Sequence, residues 1–350
     1  MKLIILNKDL ITVDNVEKYE SILWTDRYSA FGDFEIYSDY MSGMLTNAID
    51  GYYVQCNMSD RTMIIEETYL EYDPDKGMSV PIKGRSLESI LTRRIVWTQT
   101  TLSGNLQLAI QRLLNENAIS PTDTNRQIPN LVFKVSTNPI ITALNVSAQF
   151  TGDVLYEAIA SLCDAAKIGF KMTINATNKF EFELVTGKDR SYDQSINPFV
   201  TFSPNFENLK SSNYMRSSKT YKNVALVAGE GEGIDRKTFV VGSGIGLDRH
   251  ELFVDARDLS TEVEGTAMPI DQYNNILSQR GTEKLSECIM ISAFEGEADN
   301  TKMYSYGIDF FIGDIVQIEN VFSTKSRISE IVMSEDESGF KMIPTFTQVQ

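Results

Sequence analysis

Over the first hundred residues apolar and polar positions alternate in short runs, the period-2 pattern of half-buried strands. Residues 2–6 form one apolar run, and residues 19–26 alternate around Ile22 and Trp24. Residues 34–37 follow a turn at Gly32-Asp33, and residues 52–57 and 62–72 flank the polar loop Met58-Ser59-Asp60-Arg61. A turn is expected over 73–77, where Pro74 presets φ and Gly77 tolerates a positive φ, and 79–83 returns as a strand. Turns recur about every 8–12 residues, as in a small barrel or sandwich.

After Gly84 the period lengthens toward that of a helix. Residues 86–93 read as a short helix capped by Ser86. Leu106, Ile110, Leu113 and Leu114 share one helical face, with Asn105 placed to cap it. A second helix begins near Gly152-Asp153 and buries Leu155, Ile159 and Leu162. Residues 170–174 and 179–184 pair as a hairpin across Asn175-Ala176-Thr177-Asn178. Strands are expected again at 199–202, 213–217, 223–227, 304–311, 315–319, 327–333 and 340–344, with a helix over 271–287 anchored by Ile276, Leu277 and Leu285.

The pattern predicts a β-rich α+β multidomain protein. A first β-barrel domain covers 1–97 and an α+β middle domain 98–195. A discontinuous second β-barrel domain covers 196–228 and 300–350, interrupted by an inserted segment, 229–299, that holds one helix. A length of 350 residues accommodates this, at roughly 100–200 residues per domain.

Charge narrows the function. The formal net charge is −16, which argues against a surface that grips nucleic acid through Lys and Arg. Residues 230–300 hold 15 Asp/Glu against 6 Lys/Arg, so more than half of the excess lies in one stretch. Against it stands one basic run, Lys83, Arg85, Arg93, Arg94 and Arg112, opposed between 83 and 112 only by Glu88. Such a run is either a solvated face paired with the acidic segment or a contact for an acidic partner. Three scattered cysteines and one histidine make neither a disulfide framework nor a Cys/His metal site. The N-terminal apolar run is too short for a secretory signal, and no stretch approaches the roughly 20 apolar residues of a membrane span. A chain kept in a reducing cytoplasm is expected.

Motifs for catalysis are weak. Gly242-Ser243-Gly244-Ile245-Gly246 misplaces the third glycine of a dinucleotide fingerprint, and the following residues read as strand. The run Gly229-Glu230-Gly231-Glu232-Gly233 lacks the Lys-Ser/Thr ending of a phosphate loop. His250 is the single histidine available as a base, and no nucleophile elbow is present. The acidic clusters Glu230, Glu232, Asp235 and Asp255, Asp258 are indistinguishable from a solvated face, although a glycan hydrolase would need a carboxyl pair. No catalytic, cofactor-binding or metal-binding residue is assigned.

Several segments nonetheless resemble one family in order along the chain. They are Tyr19-Glu20-Ser21-Ile22-Leu23-Trp24-Thr25-Asp26-Arg27-Tyr28 followed by Gly32-Asp33-Phe34-Glu35, and Lys83-Gly84-Arg85-Ser86-Leu87-Glu88-Ser89-Ile90-Leu91-Thr92-Arg93-Arg94. Further along come Gly152-Asp153-Val154-Leu155-Tyr156, then Glu251-Leu252-Phe253-Val254-Asp255-Ala256-Arg257-Asp258-Leu259. The last are Tyr306-Gly307-Ile308-Asp309-Phe310-Phe311-Ile312-Gly313-Asp314-Ile315-Val316 and the closing stretch from Arg327-Ile328 to Phe346. Together these resemble the siphophage tail-hub (Gp37-like) family, which is similar to phage baseplate hub proteins and to the N-terminal hub part of tail-associated lysins.

The resemblance implies a structural, non-enzymatic virion protein of the tail tip, made in the host bacterial cytoplasm. It implies two β-barrel tube domains per subunit and a homotrimeric ring that closes the tail tube and adapts a sixfold tube to a threefold tip. Its partners would be a distal tail or tube ring, the end of the tape-measure protein, and tip fibre or receptor-binding proteins. DNA would pass during ejection without specific binding, and a neutral to acidic bore would suit that passage. Since longer relatives carry a fibre or lytic domain after the hub, that role is expected on another protein. Arg85, Arg93, Arg94 and Trp97 are the expected interface residues. A cell-wall glycan hydrolase is the competing reading, and a receptor-binding tip module a third.

Overall fold

The computed structural model describes the chain except residues 17, 76, 264, 299–302, 320–322 and 350. The turn predicted over 73–77 and the acidic stretch 230–300 therefore each include positions outside the described residues. The chain divides into two compact units. The first comprises Met1–Ser89, Gly169–Met215 and Ala293–Gln350, and the second Ile90–Ile168 and Arg216–Ser292.

The first unit is built on one sheet of 14 strands. From the middle outward, Ser323–Asp336 pairs antiparallel with Ser21–Arg27, which pairs with Asp33–Asp39, which pairs with Gly77–Ser86. Trp24 shows why these strands meet. It lies in register with Met333 on one side and Phe34 on the other, and all three side chains are buried. In Asp33–Asp39 every second residue (Phe34, Ile36, Ser38) is buried, as the alternation predicts. Gly84 is required where it stands, because a Cβ there would fall 1.8 Å from the Ile64 carbonyl oxygen.

The predicted division into two barrels is corrected here. Strands from both ends of the chain share one sheet and one core, which joins Trp24, Ile36 and Val54 to Phe202, Val316, Ile331 and Phe346. Among the described residues the ladder does not close into a barrel. Period-2 patterning marks which face of a strand is buried but not which strand lies beside it.

The second unit combines helices with small sheets. Asn105 caps Leu106–Leu114 as expected, its Oδ1 accepting from the Leu108 N–H at 3.2 Å. The helix Leu155–Ala165 buries Leu155, Ile159 and Leu162. Val224–Ala228 is the central strand between Thr238–Gly242 and Glu251–Asp255. The helix Ile270–Ser286 packs on one face of that sheet through Tyr273, Ile276 and Leu277. Gly281 allows the approach, since a Cβ would lie 2.6 Å from Val241 Cγ2 and 2.7 Å from Val227 Cγ2. The same helix reaches the strand Asn145–Phe150, where Arg280 Nη2 donates to the Gln149 carbonyl at 3.4 Å.

The units thus divide the chain elsewhere than the pattern suggested. The hairpin of Gly169–Ile174 and Phe180–Val185 forms as predicted but lies in the first unit. Val224–Ala228 and most of the acidic segment lie in the second unit with residues of the expected middle domain. Two local readings also change. Residues 87–93 form a 3₁₀ helix, and the Ser86 hydroxyl accepts from Gly32 N–H at 2.7 Å rather than capping it. Residues 304–311 are a turn with an isolated bridge, not a strand. Phe310 there inserts into the core edge-on to Phe202, ring centroids 5.3 Å apart.

Candidate interaction surfaces

The cationic side chains fall into two environments. Many, in both units, are tied to carboxylates. Arg61 and Glu88 are both buried and form an ion pair. Glu88 Oε1 also accepts from Met172 N–H at 2.8 Å, and Arg61 Nη2 donates to the Arg27 carbonyl at 3.0 Å. Asp26, buried beside them, accepts from Trp24 Nε1 at 3.0 Å, from the Ser59 hydroxyl at 2.8 Å and from the Tyr306 hydroxyl at 3.3 Å. Burial raises the Asp26 carboxyl above its usual range, and the Arg61 charge opposes that. Burial alone would lower the Arg61 guanidinium, but Glu88, Asp26 and Asp60 outweigh it and the net shift is upward. The cluster fastens five separate stretches of the first unit.

Arg85 belongs to the same pattern. Its Nε and Nη2 donate to the two oxygens of Glu66 at 2.6 and 2.7 Å, and its guanidinium lies 4.9 Å over the Phe31 ring. Lys83 pairs with Glu35 at 2.7 Å, and Arg112 with Glu116 one helical turn away at 2.6 Å. The basic run is therefore neutralised locally where it is paired, not by the acidic segment as one expectation had it.

Arg93, Arg94 and Trp97 lie together in the second unit, and the fold adds Arg126 to them. Arg94 Nε donates to the Arg126 carbonyl at 2.5 Å, and its Nη1 to the Arg93 carbonyl at 2.9 Å. Arg126 Nη2 donates to the Ile95 carbonyl at 2.7 Å, and its guanidinium covers the Trp97 ring at 4.8 Å. Among the described residues no carboxylate forms an ion pair with any of the three arginines. Partial burial, and then the neighbouring Arg126 and Arg93 charges, lower the Arg94 guanidinium. Trp97 is 65% exposed. Among the described residues the arrangement is a cationic and aromatic patch with no paired carboxylate. Arg126 was missed in the sequence because it reaches the patch through backbone carbonyls some thirty positions away.

A second exposed feature lies on the outer face of the three-stranded sheet. Val240, Leu226 and Phe253 stand side by side in register and are all exposed. Ile245 and Leu247 in the following loop are nearly fully exposed as well.

The sequence motifs weighed for chemistry have structural occupations. Gly242 ends a strand at φ 84°, where a Cβ would fall 2.1 Å from the Asn223 carbonyl oxygen, and only one 3₁₀ turn, Gly246–Asp248, follows before the next strand. Glu230 accepts from the Thr261 N–H and hydroxyl at 2.7 and 2.6 Å, which lowers its carboxyl below the usual range. Asp255 is held by Arg257 and Arg236, with its carboxyl lowered to about 2, and Asp258 pairs with Arg280 at 2.9 Å. His250 packs edge-on against Tyr221, ring centroids 5.3 Å apart. Burial pushes the Cys56 thiol up to about 11, and Cys163 well above its ordinary value, so neither is a ready nucleophile. Among the described residues no group of three or more His, Cys, Asp or Glu side chains could hold a metal ion, and no helix is long and apolar enough to cross a membrane.

Comparison with known proteins gives a consistent frame. The family profile described as Siphovirus ReqiPepy6 Gp37-like protein matches residues 2–346. No curated protein sequence matches the chain. Among solved structures it is similar to the 43 kDa tail protein of prophage MuSo2 from Shewanella oneidensis, with a TM-score of 0.62 at 11% identity over 99% of this chain and 98% of that one. It is similar to the tail protein from Neisseria meningitidis MC58, with a TM-score of 0.59 at 11% identity over 99% and 96% of the two chains. It is also similar to a chain of the Francisella PdpA–VgrG complex, with a TM-score of 0.52 at 7% identity over 99% of this chain and 57% of that one.

Proposed function

The chain belongs to the Siphovirus ReqiPepy6 Gp37-like family and is a structural protein of the phage tail or baseplate type, and from that premise we propose that it is the hub of the tail tip. Three copies form a ring that closes the tail tube and adapts sixfold to threefold symmetry. Each copy contributes to its wall the strands of its first unit, drawn from both ends of the chain. DNA crosses the ring during ejection, and a net charge of −16 disfavours its retention. The ring sits in the virion between a tube or distal tail ring and the tip fibre or receptor-binding proteins, near the end of the tape-measure protein.

The observation that supports an assembly role most directly is the patch of Arg93, Arg94, Arg126 and Trp97. A protein with so large an acidic excess keeps three arginines together with no carboxylate among the described residues to neutralise them. Their like-charge crowding is relieved when an acidic partner docks. Light scattering and negative-stain imaging test the reading. Three copies of the 39.4 kDa chain, about 118 kDa, in a threefold ring are expected. A particle of another symmetry, or a chain that stays single at high concentration with its tail partners present, overturns it.

A further inference from the structure

A small cavity in the first unit contains a buried cation that the fold uses on one edge only. The cavity is about 120 Å³ and is lined by Arg190, Phe199, Tyr304, Ile308 and Asp309, among others. Arg190 is 6% exposed. Its backbone is committed, the N–H to the Ile315 carbonyl at 2.7 Å and the carbonyl to the Val200 N–H at 3.0 Å. Its Nε donates to Asp314 Oδ2 at 2.7 Å. Asp314 is itself held, by Lys188 N–H at 2.6 Å and Phe311 N–H at 3.1 Å. Among the described residues the two Nη groups have no partner.

A guanidinium bound at Nε alone keeps a planar pair of donors that matches one carboxylate. The opposite wall sets the charge of what can enter. Asp309 lines the cavity without pairing with Arg190, and one of its oxygens accepts from Ser305 N–H at 2.8 Å. Its remaining charge opposes a dianion such as phosphate, while its free acceptor capacity suits an N–H next to the entering anion. Phe199 and Ile308 supply the apolar contact for a short methylene stem. We propose that the cavity receives the side-chain carboxylate of an acidic residue from a protein partner. The Nη donors of Arg190 hold that carboxylate, and Asp309 accepts from the partner's peptide N–H. Arg190 would then act as both internal strut and recognition group, independently of whether the assembled particle is a ring.

The test uses the full chain labelled with ¹⁵N-arginine, titrated in turn with N-acetyl-glutamate N-methylamide, the matching glutamine compound and inorganic phosphate. The Arg190 signal is assigned through Arg190→Lys. A saturable shift of that signal by the glutamate compound is expected, with the glutamine compound weaker by at least about tenfold. Ile308→Trp, at a position 76% exposed and therefore safe for folding, should narrow the cavity and weaken the titration. Overturning results are no shift with the glutamate compound, an equal response to the glutamine compound, tighter binding of phosphate, or a titration unchanged by Ile308→Trp.

Discussion

Arg61 and Arg94 are the same residue type in opposite circumstances. Arg61 is buried, paired with Glu88, and set among Asp26 and Asp60. Arg94 is only partly covered, faces two other arginines, and among the described residues is held by carbonyl oxygens alone. Around Arg61, positive charge is consumed in joining distant stretches of the first unit. In the second, the Arg93–Arg94–Arg126 group is fixed in position while its charge stays available. The difference separates charge that serves the fold from charge that has no counter-ion among the described residues.

The largest effect should come from breaking the buried pair. Glu88→Gln keeps the shape but leaves Arg61 without its main counter-charge, and should cost about 3–5 kcal/mol in denaturant unfolding. A cost below about 1 kcal/mol would mean that Asp26 and Asp60 suffice and that the cluster is not a fastening.

Glu283 tests whether the second unit also hides charge. It is buried, and burial raises its carboxyl to about 7, with Asp153 adding to the rise and Gln279, Arg280 and Lys284 opposing it. The folded state therefore holds this proton more tightly than the unfolded state does. Its contribution is fully present at pH below the unfolded value near 4.5 and fades as pH rises to about 7. Glu283→Gln should flatten that slope, with the variant gaining on the parent by about 3 kcal/mol above pH 7. Parallel stability–pH curves for the two proteins would refute the shift.

Arg85 lies between the extremes, half-exposed but gripped by both oxygens of Glu66. Arg85→Met should cost roughly 0.5–1 kcal/mol, readable as a lower unfolding midpoint that fades in high salt. The smallest effect on stability belongs to the uncompensated patch. Arg93→Glu with Arg126→Glu should change unfolding by less than about 0.5 kcal/mol and yet impair assembly. Unchanged assembly would show that the exposed arginines are only a solvated face.

Much of the local structure was legible in the chain. The period-3.6 residues Leu155, Ile159 and Leu162 announced their helix, Asn105 its cap, and Asn175 with Asn178 the hairpin turn, because each signal acts within a few residues. The misread stretch is instructive. Tyr304, Tyr306, Phe310 and Phe311 carry strand-like composition, but the chain turns there to bring Phe310 onto Phe202. Arg93, Arg94 and Trp97 could be picked out by their charge and aromaticity, whereas Arg126 and Arg190 could not. Their roles depend on which carbonyl or carboxylate lies opposite them, and those groups are distant in sequence.

By itself the sequence determined the β-rich character, the helices of the second unit, the acidic excess and, through ordered motifs, the family. Those follow from side-chain period, capping chemistry and charge, which are local or additive. Only the tertiary structure decided that strands from both ends of the chain share one sheet, that the acidic segment shares a unit with residues expected in a separate middle domain, and which arginines keep their charge unspent. Each of those outcomes depends on contacts between residues far apart in the chain, which side-chain period, capping and summed charge do not specify.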